Sequence, residues 1–199
     1  MLFEKLSKNY YFNSVEENSE IGFILRLSSF LENNCSIRST IVLLCIGTDK
    51  CVGDSLGPLI GNSLEKLLSS TKVKIFGTLA NPVHACNLES TVKYIYDSTD
   101  EPFIIAIDAS LGIAEHIGFA TVKNGPLKPG TGVKKHLPEV GDVCITGIVN
   151  QASPKNENAL FNSTQLSTVI HLADYISSAV YSCLNDFISH RPDAFSDSA

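Results

Sequence analysis

The sequence has no excess of basic residues and no long apolar run. Lysine and arginine total 15 against 21 aspartates and glutamates, which gives a formal net charge of -6. Because phosphate contacts need a basic surface, this balance argues against a general nucleic-acid-binding protein. No apolar run approaches the roughly 18 residues of a membrane span, and the N-terminus lacks the pattern of a signal peptide. We therefore expect a soluble, cytoplasmic protein that binds neither nucleic acid nor membrane.

Paired cysteines and linker-like stretches are also missing. The six cysteines are widely spaced and form no C-x-x-C pair, so the sequence indicates neither a zinc knuckle nor a disulfide framework. No linker divides the 199 residues, of which 44% are hydrophobic. We expect one domain over residues 1–199, with residues 1–13 as an extended arm and residues 190–199 as a flexible tail.

Short apolar runs alternate with helical patterns along the chain. The apolar runs predict strands at residues 41–46, 73–79, 103–107, 117–122 and 143–149. Apolar residues at helical spacing predict helices at residues 14–33, 56–70, 87–96 and 164–188. Strands that alternate with helices are typical of an α/β fold. The sequence therefore predicts a three-layer αβα sandwich with a mainly parallel central sheet.

Two aspartates follow apolar runs that predict buried parallel strands. Asp54 lies in the loop after the first run, and Asp108 comes directly after the third. Because ligands bind outside the carboxyl ends of parallel strands, both side chains could reach the same edge of the sheet. Two carboxylates held close together cannot both ionise easily, so such a pair can activate a water molecule and donate a proton. A helix N-cap is the plainer interpretation of Asp54, and a turn residue that of Asp108.

The string Gly-Asp-Ser-Leu-Gly at residues 53–57 also fits the G-x-S-x-G pattern of serine hydrolases. A nucleophile elbow places its serine directly after a strand, whereas a loop separates this motif from Ile46. A serine hydrolase that uses Ser55 is therefore the alternative to an acidic pair.

A glycine-rich and basic loop at residues 125–135 lacks the order of a phosphate-binding loop. A solvated loop is the plainer interpretation, and a flap or a segment that pairs with the backbone of an extended peptide is the functional one. The candidate substrate-binding residues are Gly53, Ser55, Pro129, Gly130, Thr131 and Gly132. His136 is the first histidine to test as a site residue, because its loop could reach the same edge of the sheet as the two aspartates, although a loop or surface residue is its plainer interpretation.

Three ordered motifs resemble the YyaC family of sporulation proteins, which are relatives of the spore germination protease. They are Gly-Thr-Asp-Lys-Cys-Val-Gly-Asp-Ser-Leu-Gly-Pro at residues 47–58, Phe-Ile-Ile-Ala-Ile-Asp-Ala at residues 103–109 and Lys-Pro-Gly-Thr-Gly-Val at residues 128–133. The germination protease and the hydrogenase maturation proteases share an αβα, phosphorylase/hydrolase-like fold. The resemblance therefore implies that fold for this chain.

The resemblance implies an aspartic-type endopeptidase that hydrolyses small spore proteins inside the sporulating cell or spore. Asp54 and Asp108 match the two catalytic positions of the family. In hydrogenase maturation proteases the matching acidic positions and a histidine from a later loop bind nickel of the precursor, and His136 is the nearest counterpart here. We expect no cofactor, with a divalent metal at Asp54, Asp108 and His136 as the alternative.

The expected partner is a peptide or a small spore protein, and homo-oligomers are compatible with the sequence. Because fold does not fix function, a non-catalytic protein that binds a peptide or a metal on the same scaffold is a third hypothesis.

Overall fold

The computed structural model describes residues 8–129, 138–153 and 157–191 of the chain. The strands are β1 (Tyr10–Asn13), β2 (Thr40–Cys45), β3 (Lys74–Phe76), β4 (Pro102–Gly112), β5 (Phe119–Asn124) and β6 (Val143–Gln151). The helices are α1 (Ser19–Asn34), α2 (Leu56–Leu67), α3 (Leu88–Ser98), α4 (Glu157–Asn162) and α5 (Leu166–Ser189). None of these described helices has the length and apolarity needed to cross a membrane.

The strands form one six-stranded sheet in the order β1-β5-β6-β4-β2-β3. β2 pairs in parallel with β3 and β4, and β4 pairs in parallel with β6. β5 runs antiparallel to β6, and β1 runs antiparallel to β5. The predicted α/β fold with a mainly parallel sheet is therefore confirmed, and the carboxyl ends of four strands meet at one edge.

Helices cover both faces of the sheet. On one face, buried residues of α1, α2 and α5, such as Phe23, Ile60 and Ile176, pack with Ile105 of β4 in a single cluster. On the other face, buried residues of α3 pack against Val42, Leu44 and Ile104. Each fully buried side chain of this kind contributes about 1.5–3 kcal/mol to stability. The two clusters make the predicted three-layer arrangement.

β4 is longer than the sequence predicts. The apolar run ends at Ile107, but the strand continues to Gly112 because Asp108 and the residues after it keep pairing with β6. The register shifts between Ser110 and Leu111. Asp108 therefore lies inside a strand, and its interpretation as a turn residue is wrong.

The edges of the sheet differ from the predicted boundaries. Residues 10–13, expected as part of an extended arm, form the edge strand β1, and the Arg26 guanidinium lies 3.8 Å from the centroid of the Tyr10 ring.

α1 begins at Ser19 and not at residue 14, after Asn18 in the left-handed conformation with φ 65°. β3 ends at Phe76, well short of residue 79, because Gly77 has φ +92°. Residues 192–199 of the expected tail lie outside the described residues.

Candidate active site

The loop after β2 folds back over the end of the sheet. The Ile46 N–H donates a hydrogen bond to the Ile107 carbonyl at 2.7 Å, which ties the start of this loop to β4. The Thr48 N–H donates to the Asp54 carbonyl at 3.0 Å. These two bonds bring the 3-10 turn Gly53–Ser55 back over the end of β2, close to the point where β4 reaches Asp108.

Two glycines allow this close approach. A Cβ atom at Gly57 would lie 2.0 Å from the Ile46 carbonyl oxygen, so the first turn of α2 packs directly on the end of the strand. A Cβ atom at Gly47 would lie 2.0 Å from the Asp54 carbonyl oxygen, and Gly47 also has φ +146°. Any larger residue would push the turn that carries Asp54 away from the sheet.

The Asp108 side chain lies in the middle of the sheet, where it is largely buried and only partly exposed. Its Oδ1 accepts a hydrogen bond from the Ala109 N–H at 2.8 Å. Burial raises the pKa of Asp108 to about 8, and the negative charge of Asp54 adds to that rise. At neutral pH the Asp108 carboxyl therefore keeps its proton.

Asp54 lies in the 3-10 turn and is also partly exposed. Burial raises its pKa above the ordinary range. The N-cap of α2 is Ser55, which makes no side-chain capping bond, so the N-cap interpretation of Asp54 is wrong. The structure thus brings the two acidic residues close enough for the charge of Asp54 to act on Asp108. Such a pair can hold one proton between two carboxyl groups.

The Ser55 hydroxyl is directed into the protein. It is 8% exposed and donates a hydrogen bond to the Val52 carbonyl at 2.7 Å. Among the described residues, no histidine bonds to it, as a base would in a serine hydrolase. Gly53 is buried, and a Cβ atom there would lie 2.6 Å from the ring of Phe161 in α4. Neither residue presents a free side-chain group to a substrate.

The base of the glycine-rich loop is anchored beside the sheet. Leu127 and Val140 exchange backbone hydrogen bonds of 2.8 and 3.0 Å, and Lys128 and Glu139 form an exposed ion pair at 2.9 Å. Pro129 is buried. Four predicted site residues of this loop lie outside the described residues, namely Gly130, Thr131, Gly132 and His136.

Among the described residues, the candidate site has two carboxylates that could bind a metal ion. Within residues 8–129, 138–153 and 157–191, no three histidine, cysteine, aspartate or glutamate side chains come together as a metal site. Asp54 and Asp108 supply oxygen ligands of the kind that divalent cations prefer. The third predicted ligand, His136, is not among the described residues.

The pairing register of β4 and β6 adds to the candidate site a residue that the sequence pattern does not identify. Thr146 of β6 lies directly opposite Asp108 on the neighbouring strand. An isolated threonine in an apolar run carries no sequence signal, because its role depends on the register between two strands far apart in the chain.

The α/β fold is similar to that of a hydrogenase maturation protease. The structure is similar to the crystal structure of the [NiFe] hydrogenase maturation protease HycI from Thermococcus kodakarensis KOD1, with a TM-score of 0.52. The match covers 80% of this chain and 99% of that one at 18% sequence identity, so it shows the fold alone.

The chain belongs to the family described as "Protein of unknown function (DUF1256)", which matches residues 11–179. It is 45% identical over 137 residues to the protein YyaC of Bacillus subtilis strain 168, which carries the description "uncharacterized". This match covers 69% of the chain and 66% of YyaC, just under two thirds of that protein's length.

Proposed function

We propose that the protein is an aspartic-type endopeptidase in which Asp54 and Asp108 together activate a water molecule. The observation that carries the proposal is that two carboxyl groups from separate elements lie near the same end of the sheet, one in the 3-10 turn Gly53–Ser55 and one in β4. Burial, with a smaller contribution from the charge of Asp54, raises the pKa of Asp108 to about 8. In enzymes, burial and a nearby negative charge raise the pKa of one carboxyl group, so that it stays protonated at neutral pH beside an ionised one.

The two residues have different roles in this mechanism. Asp54, in its ionised form, takes a proton from water as the water oxygen attacks the peptide carbonyl carbon. Asp108 donates its proton to the carbonyl oxygen, which gives a tetrahedral diol. When the C–N bond breaks, Asp54 gives its proton to the leaving amine, and Asp108 recovers a proton from a diol hydroxyl. Both carboxyl groups then have their starting protonation.

The substrate and setting follow from the family resemblance. Small spore proteins are the proposed substrates, hydrolysed in the cytoplasm of the sporulating cell or in the spore interior. The glycine-rich loop at residues 125–135 would help to hold the peptide. A divalent metal bound by Asp54 and Asp108 is the alternative, in which the metal would polarise the carbonyl or the water.

Incubation of the purified protein with small spore proteins tests the proposal. We expect Asp54→Asn and Asp108→Asn each to lower the cleavage rate by about a thousandfold, because each removes a proton-transfer group. Asp97→Asn, on the exposed surface of α3, is the matched control and should cleave like the native protein. Mass spectrometry of the products measures the rates.

Three other results would contradict the proposal. Cleavage that survives both aspartate changes would remove the acidic pair from the mechanism. Labelling of Ser55 by a fluorophosphonate probe, with loss of cleavage in Ser55→Ala, would favour a serine hydrolase. Peptide binding in calorimetry without any turnover would favour the non-catalytic binding protein.

A further inference from the structure

A row of side chains crosses the sheet from Asp108 to its far edge. In the pairing register, Asp108 of β4 lies opposite Thr146 of β6, Thr146 lies opposite Thr121 of β5, and Thr121 lies opposite Tyr11 of β1. Side chains at such paired positions point to the same face of the sheet. Since neighbouring strands lie about 4.8 Å apart, the row extends about 14 Å across three strand spacings.

Hydrogen bonds confirm that the polar members share one face. The Thr121 and Thr146 hydroxyls lie 2.8 Å apart, and the Ser110 hydroxyl donates to Thr146 Oγ1 at 3.2 Å. Their sequence neighbours Val122 and Ile145 are buried in the cluster on the opposite face. The row is therefore polar on one side of a sheet whose other side is apolar core.

A cavity of about 840 Å³ lies over this row, and we call it the threonine groove. Thr146, Thr121 and Tyr11 all line it, and none of the described α-helices contributes to its walls. At the far end the Tyr11 ring packs against the His116 ring, with ring centroids 4.9 Å apart. Asp108 lies just outside the near end, beside Thr146. The groove thus leads away from the candidate catalytic pair.

The Lys123 side chain lies along the groove and has no acidic partner among the described residues. Lys123 pairs in register with Cys144, and both line the groove. The Lys123 ammonium donates to the Pro126 carbonyl at 3.2 Å, and no carboxylate of the described residues lies within ion-pair distance of it. Burial raises the pKa of Cys144 to about 11, while the positive charge of Lys123 opposes that rise. The other charged residue lining the groove, Glu115, is exposed.

We propose that the threonine groove binds the substrate on one side of the scissile bond, and that Lys123 pairs with an acidic side chain there. An extended peptide advances about 3.3 Å per residue, so the groove accommodates about four residues from Asp108 to Tyr11. Lys123 is on β5, two strand spacings or about 10 Å across the sheet from β4 and two residues or about 7 Å along the strand from Thr121. It therefore lies about 12 Å from Asp108, which places the acidic side chain at the third or fourth residue. This proposal rests on the peptidase function proposed above.

A binding experiment tests the groove without any turnover. Asp54→Asn protein is titrated into two fluorescein-labelled peptides of nine residues, alternating alanine and serine, which carry glutamate or glutamine at the centre. Fluorescence anisotropy should show about fivefold tighter binding of the glutamate peptide, the ratio that a half-exposed ion pair gives. In the Asp54→Asn protein, a second substitution Lys123→Gln should abolish this preference, and Lys123→Arg should keep it. Lys93→Gln, on exposed α3, is the control that should also keep it.

Two binding outcomes would overturn the proposal. One is equal binding of the two peptides by protein that has Lys123. The other is a glutamate preference that survives Lys123→Gln. Circular dichroism melting curves that match within about 2 °C would show that the Lys123 variants are folded.

A cleavage experiment separates this proposal from the peptidase function. A peptide library digested by the native protein should show acidic residues enriched at the third or fourth position on one side of the cleaved bond, and Lys123→Gln should lose the enrichment. Cleavage without that preference would contradict the groove and leave the peptidase standing. Absence of cleavage, together with the glutamate preference in binding, would contradict the peptidase and leave the groove standing.

Discussion

Replacing Asp108 by asparagine is expected to stabilise the folded protein at pH 8 by up to about 5 kcal/mol, although the same change removes cleavage. That upper value is about four pKa units at about 1.36 kcal/mol each, and it is reduced by the solvent screening of a partly exposed side chain. The pKa of Asp108 is about 8 in the folded protein, compared with the ordinary aspartate value of 3.8 that applies in the unfolded chain. Between these two values the unfolded chain loses the Asp108 proton while the folded protein keeps it. Stability therefore falls as the pH rises from about 4 to about 8, and asparagine, which does not ionise, avoids that loss.

Urea denaturation at pH 4, 6 and 8 measures this effect. The difference in unfolding free energy between Asp108→Asn and the native protein should be near zero at pH 4 and should grow as the pH rises. Asp97→Asn should show no such growth, because that side chain is exposed on α3. An Asp108→Asn protein that is less stable than the native one at pH 8 would contradict the raised pKa.

Gly57→Ala is expected to destabilise the fold by about 3 kcal/mol or more, because the added Cβ would lie 2.0 Å from the Ile46 carbonyl oxygen. Both atoms belong to backbone segments that cannot give way without moving α2 or β2. The melting temperature should fall by roughly 10 °C for a chain of this size. Cleavage should also fall, since the turn that carries Asp54 directly precedes α2.

Gly22→Ala is the matched control for this prediction, since Gly22 also lies in a helix. A Cβ atom at Gly22 would meet the edge of the Phe12 ring at 3.2 Å. A ring edge can move by a few tenths of an ångström, and alanine favours helix by about 1 kcal/mol over glycine. We expect its stability to stay within about 1 kcal/mol of the native value. Equal stability losses in the two variants would contradict the packing argument.

The strand and helix order can be predicted from the sequence because the core is strongly periodic. β2 is a run of apolar residues buried on both faces, which is why its position is clear from the sequence alone. The first turn of α2 is equally clear, since Pro58 at this position loses no hydrogen bond. β1 and α4 are not predicted from the sequence, because the segments Tyr10–Asn13 and Glu157–Asn162 are too short to show a hydrophobic period.

The candidate site is only partly predictable from the sequence. Asp54 and Asp108 stand out because each follows an apolar strand, and the rule that ligands bind at carboxyl ends of parallel strands places both at one edge. The sequence does not show that β4 continues past Asp108, because polar residues there still pair with β6. Thr121 and Thr146 become part of a groove only through the register of β5, β6 and β4.

The proposed mechanism depends on one proton shared by Asp54 and Asp108, and a carbon-13 NMR titration of the aspartate carboxyl groups measures it directly. In the native protein the Asp108 carboxyl should titrate with a pKa of about 8. In Asp54→Asn that pKa should fall, because one cause of the rise is the negative charge of Asp54. An Asp108 carboxyl that titrates near pH 4, or whose pKa is the same with and without Asp54, would contradict the shared proton.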